Sequence, residues 1–155
     1  MAYSTIKLKD MGNPMVEELE ANAAITPGML VEEMTTGKVR AHATANGNAT
    51  PMFALEDELQ GKGITEAYAS GDRVSCWHPN RGDQVYALLA DGENVAIGDF
   101  LASNGDGFLQ KFTGGASTLE DLPLEIVAKA KEAIDRSSSS GGDTNTTGRI
   151  VVEII

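Results

Sequence analysis

Few side chains in this sequence are suited to covalent or metal chemistry. There is one cysteine, Cys76, and there are two histidines, His42 and His78. Cys76 and His78 flank Trp77 in an apolar run that reads as a strand. Strand neighbours point to opposite faces, so Cys76 and His78 would share a face and Trp77 would point away from both. A thiolate–imidazole pair also needs a third group to orient the base, and the spacing of Asn and Asp residues indicates none. A small buried hydrophobe is the simpler reading of Cys76. Neither histidine has a second His or Cys at ligand spacing, which argues against a metal centre. No catalytic, cofactor-binding or metal-ligating residue is therefore assigned.

The carboxylates Glu17, Glu18, Glu20, Glu32, Glu33, Glu56, Asp57 and Glu58 come in runs, as on a solvated face. Paired-carboxylate catalysis would need one acid held in an apolar pocket. Asn104-Gly105-Asp106-Gly107 lacks the fixed acidic ligands and closing Glu of a calcium loop and reads as a turn. Arg81-Gly82-Asp83 matches an adhesion tripeptide, but turn chemistry explains the same residues. The patterns Asn48-Ala49-Thr50 and Asn145-Thr146-Thr147 fit glycosylation acceptors, which matter only in a secreted chain.

The elements that would carry these residues are short strands. Gly71-Asp72-Arg73-Val74, Gly82-Asp83-Gln84-Val85 and Gly98-Asp99-Phe100-Leu101 share the pattern Gly-Asp-x-aliphatic. Glycine allows the positive φ of a tight turn, and Asp is expected to hydrogen-bond backbone two residues further on. Thr26-Pro27-Gly28 is another turn signal. Apolar runs follow at residues 29–31, 39–43, 51–55, 74–78, 85–89, 95–97, 100–101 and 108–112, and turn signals recur every 8–12 residues through much of the chain. That rhythm predicts an all-β, single-domain barrel or sandwich.

Two segments are ambiguous. Residues 15–25 contain good helix formers, with Val16, Leu19, Ala23 and Ala24 at loosely helical spacing, yet a strand also fits. Residues 124–135 follow Pro123 and favour helix by composition, but they also alternate. Residues 137–148 are Ser, Gly, Asp, Thr and Asn throughout, predicting a flexible loop. Residues 150–155 form a β-branched closing strand. Residues 1–14 alternate weakly and predict an extended arm or an edge strand ahead of a β domain at 15–155.

Composition bounds the function. An apolar content of 41% in 155 residues suits one globular core. A net charge of −11 opposes binding to a phosphate backbone. No apolar run approaches the roughly 20 residues of a membrane helix. A single cysteine and the lack of a signal-peptide pattern predict a chain made in the cytoplasm.

The ordered strand and turn residues resemble one family. They are residues 25–32, Pro51-Met52-Phe53-Ala54-Leu55-Glu56, Gly63-Ile64, residues 67–74, residues 79–85, Leu88-Leu89-Ala90 and residues 97–101. The tail Glu132-Ala133-Ile134-Asp135 then leads to Arg149-Ile150-Val151-Val152-Glu153-Ile154. From about residue 20 to the end, this pattern is similar to the capsid cement, or head decoration, proteins of tailed bacteriophages. The resemblance implies a β-tulip-like domain on the outer capsid surface of the virion. It would sit at junctions between major capsid proteins, commonly as a homotrimer, with no enzymatic role and no nucleic-acid or membrane partner. It also implies that residues 126–135 are a strand paired with 149–154.

Within that expectation the arm reaches a neighbour by strand addition. Tyr3, Ile6, Leu8, Trp77 and Tyr86 are the candidate interface residues, with the core the simpler reading of Trp77 and Tyr86. Two alternatives remain. One is a stand-alone module for carbohydrate or adhesion, which the 5% aromatic content disfavours. The other is a small trimeric nucleotide hydrolase. Residues 63–71 partly resemble the uridine-binding hairpin of dUTP-hydrolysing enzymes, but Glu66 and Tyr68 are two apart where that family places Asp and Tyr three apart.

Overall fold

The structure is a computed structural model that describes residues 2–12, 14–114, 125–137 and 147–155. Strands follow one another, with a turn of 3-10 helix, Glu58–Gln60, between the strands Phe53–Ala54 and Arg73–His78. In chain order they are β1 (Lys7–Lys9), β2 (Met15–Ala21), β3 (Val31–Glu33), β4 (Lys38–Ala41), β5 (Phe53–Ala54), β6 (Arg73–His78) and β7 (Gln84–Leu88). They continue with β8 (Asn94–Val95), β9 (Phe100–Ser103), β10 (Leu109–Lys111), β11 (Ile126–Ala130), β12 (Ile134–Asp135) and β13 (Arg149–Ile154).

Two sheets form a sandwich-like pair. One has six strands in the order β1-β7-β13-β11-β9-β10, the other five in the order β3-β4-β2-β6-β5, and β12 with β8 makes a small ribbon. The chain is all-β, as its turn rhythm predicts. Among the described strands neither sheet closes into a barrel.

The alternation of β6 explains how the layers meet. Trp77 packs into the main core with Phe53, Leu30, Val85, Leu101, Leu109 and Ile150. Val74 and Cys76, on the other face of the strand, enter a second cluster with Ile25, Val39, Met52 and Tyr68. The five-stranded sheet is thus buried on both faces along β5 and β6. Burying each large side chain such as Trp77 or Phe53 contributes roughly 1.5–3 kcal/mol.

Each ambiguous segment contains a strand, residues 15–21 in the first and residues 126–130 in the second. β2 pairs antiparallel with β6 over six residues, from Met15↔His78 to Glu20↔Arg73. β11 lies between β9 and β13, with Ala128 opposite Ile154 and Ala130 opposite Val152. The expected pairing of residues 126–135 with 149–154 therefore holds for the first part. The chain then bends, and Ile134–Asp135 pairs with β8 instead. Most of the loop predicted at 137–148 lies outside the described residues.

Four turns share one construction. Thr26–Met29, Ala69–Asp72, Asn80–Asp83 and Ala96–Asp99 each close with a bond from the fourth N–H to the first carbonyl, at 3.1, 3.1, 3.0 and 3.1 Å. Their third residues, Gly28, Gly71, Gly82 and Gly98, have φ of 90°, 91°, 92° and 91°, the requirement of a type II turn. The aspartates act differently from the sequence expectation. They reach back three residues rather than forward two. Oδ2 of Asp72, Asp83 and Asp99 accepts from the N–H of Ala69, Asn80 and Ala96 at 2.8, 2.7 and 2.9 Å. At Thr26 the sulfur of Met29 takes the same place, at 3.4 Å. Residues 95–97, expected as strand, accordingly leave the ribbon after Val95 and enter the last of these turns.

Candidate functional site

The thiol of Cys76 is buried, and its hydrogen-bond partner is the carbonyl of Val74, at 3.6 Å. Burial pushes its pKa up to about 12, so it is held as the neutral thiol. His78, two residues on, pairs instead with Glu17 at 3.2 Å. The two residues do share a face, but they do not form a nucleophile and its base.

His42 is 2% exposed. Its Nε2 lies 3.1 Å from the Asn48 carbonyl and its Nδ1 2.7 Å from Ser103 Oγ. A carbonyl can only accept, so Nε2 carries a proton, and in the neutral ring Nδ1 accepts from the Ser103 hydroxyl. Ser103 Oγ in turn accepts from the Gly105 N–H at 3.1 Å. The histidine ties β9 to the loop after β4. In the Asn104–Gly107 region, Asp106 Oδ1 accepts from the Phe108 N–H at 3.1 Å, so this carboxylate closes a turn. Among the described residues, no three His, Cys, Asp or Glu side chains are grouped to hold a metal.

The N-terminal arm is not a free extension. β1 pairs antiparallel with the edge of β7, and Ile6 is fully buried in the main core. The Tyr86 N–H donates to the Ile6 carbonyl at 2.8 Å. Glu56 Oε2 accepts from the Ile6 N–H at 3.1 Å, and Asp83 Oδ1 accepts from the Met11 N–H at 2.8 Å. Tyr3 meets the Tyr86 ring edge-on, with centroids 5.2 Å apart, and Lys7 Nζ lies 5.2 Å from the Trp77 ring centroid. The arm thus covers the core of its own chain by strand pairing, one apolar anchor and two carboxylates.

These contacts sort the five candidate interface residues. Ile6, Trp77 and Tyr86 are enclosed in the core, with exposures of 0%, 0% and 2%, because the arm folds over them. Tyr3 is 38% exposed and Leu8 is half-buried, so these two keep surface to offer. The Arg81-Gly82-Asp83 carboxylate is also fully buried, with both oxygens taken by backbone N–H groups.

Sequence reasoning missed two buried charges. Arg149, 3% exposed, donates from Nη2 to the Ile64 carbonyl at 2.6 Å and lies 5.7 Å from the Tyr86 ring centroid. Burial lowers its pKa, while the nearby Tyr86 and Glu56 oppose that shift. Glu56, hidden within an acidic run, is 8% exposed. For Arg149 the available signal was a charged residue opening the β-branched closing strand.

The exposed large apolar residues are Met11, Met15, Val16, Leu59, Ile97, Phe100 and Ile155, besides Tyr3. Val16 and Leu59 line a groove of about 310 Å³ with Leu55, Thr5, Lys7 and Ser75. Glu32, Glu33, His42, Asn48, Met52 and His78 help line a second groove, of about 330 Å³. The described residues thus combine a tied-down core with surface grooves of mixed polarity.

The fold is that of an all-β protein of two facing sheets. It is similar to the crystal structure of the N base of the head fiber gp8.5 of bacteriophage phi29. The match has a TM-score of 0.57 and 11% sequence identity, over 92% of this chain and 95% of that one. No protein-family model matches the sequence. No curated protein matches it either.

Proposed function

We propose that this chain is a structural protein of a phage virion that binds the outside of the capsid and stabilises the shell. The observation that carries this reading is the match in fold to a phage head fiber base, which spans nearly the whole of both chains. The strand-and-turn resemblance to capsid cement proteins points to the same compartment by a separate route. The architecture suits the role, since its buried carboxylates and four like-built turns serve backbone rigidity. In this reading the partner is the major capsid protein, the oligomer is a homotrimer, and no catalytic step is involved.

Binding that exists only on the assembled lattice stabilises the lattice by mass action, and many copies add through multivalency. The test is to add purified protein to undecorated, expanded capsids. Co-sedimentation and a higher capsid melting temperature are expected. Failure of both would overturn the proposal. Sedimentation equilibrium of the free protein tests the trimer.

A further inference from the structure

The five-stranded sheet contains an unfinished edge. β2 pairs with β6 along six residues, but with β4 only at Glu20 and Ala21. Residues 15–19 therefore have a strand on one side alone. The direction of the free groups follows from the end of β2. The Ala21 N–H donates to the Asp72 carbonyl, and the Ala21 carbonyl accepts from the Gly71 N–H, both on the β6 side. The Asn22 N–H donates to the Val39 carbonyl on the β4 side. Backbone groups alternate sides along a regular strand, and this register has no bulge. The N–H and C=O groups of Val16 and Glu18 consequently point into the open edge.

An exposed edge is a template for another strand, and many proteins guard it with charge. The carboxylates here act selectively. An antiparallel pairing of β2 with its own copy centred on Glu17 sets Glu17 against Glu17, which is destabilising. A guard alone does not account for the apolar surface beside it, where Met15 is 53% and Val16 44% exposed. Val16 also lines the groove shared with Leu55 and Leu59. The surroundings are acidic on both faces of the edge, with Glu17 on one and Glu18 on the other. The Lys38–Glu20 ion pair, at 2.7 Å, marks the end where β4 begins.

We infer that the open edge of β2 at residues 15–19 is a docking site for an extended, basic segment of a partner protein. The segment adds as a strand, bonds the Val16 and Glu18 backbone groups, sets Lys or Arg against Glu17 and Glu18, and lays an apolar side chain beside Val16. Identifying that segment as part of the shell subunit rests on the function proposed above. The strand-addition site itself does not.

Two arms separate these. In the first, amide hydrogen exchange is measured on the whole protein with an acetylated, amidated peptide repeating Lys-Lys-Val, which carries Lys on both strand faces, and with its Glu-Glu-Val counterpart. Exchange at Val16 and Glu18 should slow by about tenfold or more with the Lys-Lys-Val peptide only, and high salt should reverse it. No slowing at these amides, or equal slowing by both peptides, overturns the inference. In the second arm, wild type, Glu18→Pro and Glu18→Lys are compared on undecorated capsids. Glu18→Pro removes one outward N–H and leaves the bonds to β6, and thermal melting checks that both variants fold. Capsid binding that both folded variants retain rejects the shell subunit as the source of the segment. Peptide protection without capsid binding by wild type upholds the docking site and rejects the capsid function.

Discussion

Asp83 Oδ1 accepts the backbone N–H of Met11 at 2.8 Å, joining positions 72 residues apart. Its other oxygen, Oδ2, closes the turn at Asn80 at 2.7 Å. One buried side chain therefore performs a local and a long-range task. It shapes the turn that launches β7, and it fastens the arm that covers β7.

Replacing this carboxylate should be costly. Asp83→Ala leaves two backbone donors without their acceptor, at about 1.5–3 kcal/mol for each bond to a charged group. Urea unfolding should show a loss of roughly 3–6 kcal/mol, with faster amide exchange at Met11. Asp83→Asn keeps an acceptor and should lose less. Equal stabilities for the two variants would reject the double role.

Gly28 and Gly71 have the same φ but different surroundings. A Cβ on Gly71 meets nothing within 4 Å, whereas one on Gly28 would clash with Arg149 Nη1 and stand 3.0 Å from the Tyr86 carbonyl oxygen. Gly71→Ala should lose about 1 kcal/mol from backbone strain alone. Gly28→Ala should lose at least about 2 kcal/mol, since a buried guanidinium must also move. Thermal or urea melts of the pair isolate the clash from the strain.

Acid should weaken the fold through specific ion pairs. Asp99 is held below its ordinary value of 3.8, first by Lys111 and then by the Ala96 N–H. Glu153 and Glu20 are held below 4.5, the first mainly by Lys131 and the second by Lys38. A depressed folded-state pKa gives stability that is fully present above the unfolded value and is lost as pH falls through the folded one. The urea midpoint should therefore hold level near neutrality and fall below about pH 4.5. Added salt should shrink the contribution of these exposed pairs. Lys111→Met should reduce the part of the fall due to Asp99. An unchanged profile in that variant would remove Asp99 from the account.

Cys76 should resist alkylation in the native protein. A pKa raised from 9.0 to about 12 lowers the reactive thiolate fraction at pH 8 by about a thousandfold, before steric shielding is added. Labelling by iodoacetamide should be slow when folded and rapid in urea. Comparable rates in the two states would contradict the burial of this side chain.

Much of the framework is legible from local residue patterns. The Gly-Asp marks locate three of the four like-built turns, because a positive φ and a short acceptor are properties of neighbouring residues. Arg73–His78 and Gln84–Leu88 read as strands because their apolar residues are bounded by turn residues. The fourth turn, Thr26–Met29, was legible as a turn from Pro27 and Gly28. Its kinship with the others was not, because a methionine sulfur stands where the others use carboxylate.

What sequence alone determined is the class of the protein, an all-β chain with many tight turns, since strand periodicity and turn chemistry act over a few residues. Tertiary structure decided the rest. Residues 15–21 could be helix or strand until β6 supplied a six-residue partner, and residues 126–130 became strand between β9 and β13. The arm reads as extended in either case. Only the fold shows that Ile6 enters its own core and that Glu56 and Asp83 receive the arm's N–H groups. The open edge at Val16 and Glu18 is likewise invisible in sequence, because a backbone group is free only by virtue of where the next strand stops. The physical reason is common to all three. Pairing and burial depend on residues distant in the chain, and only the folded chain brings them together.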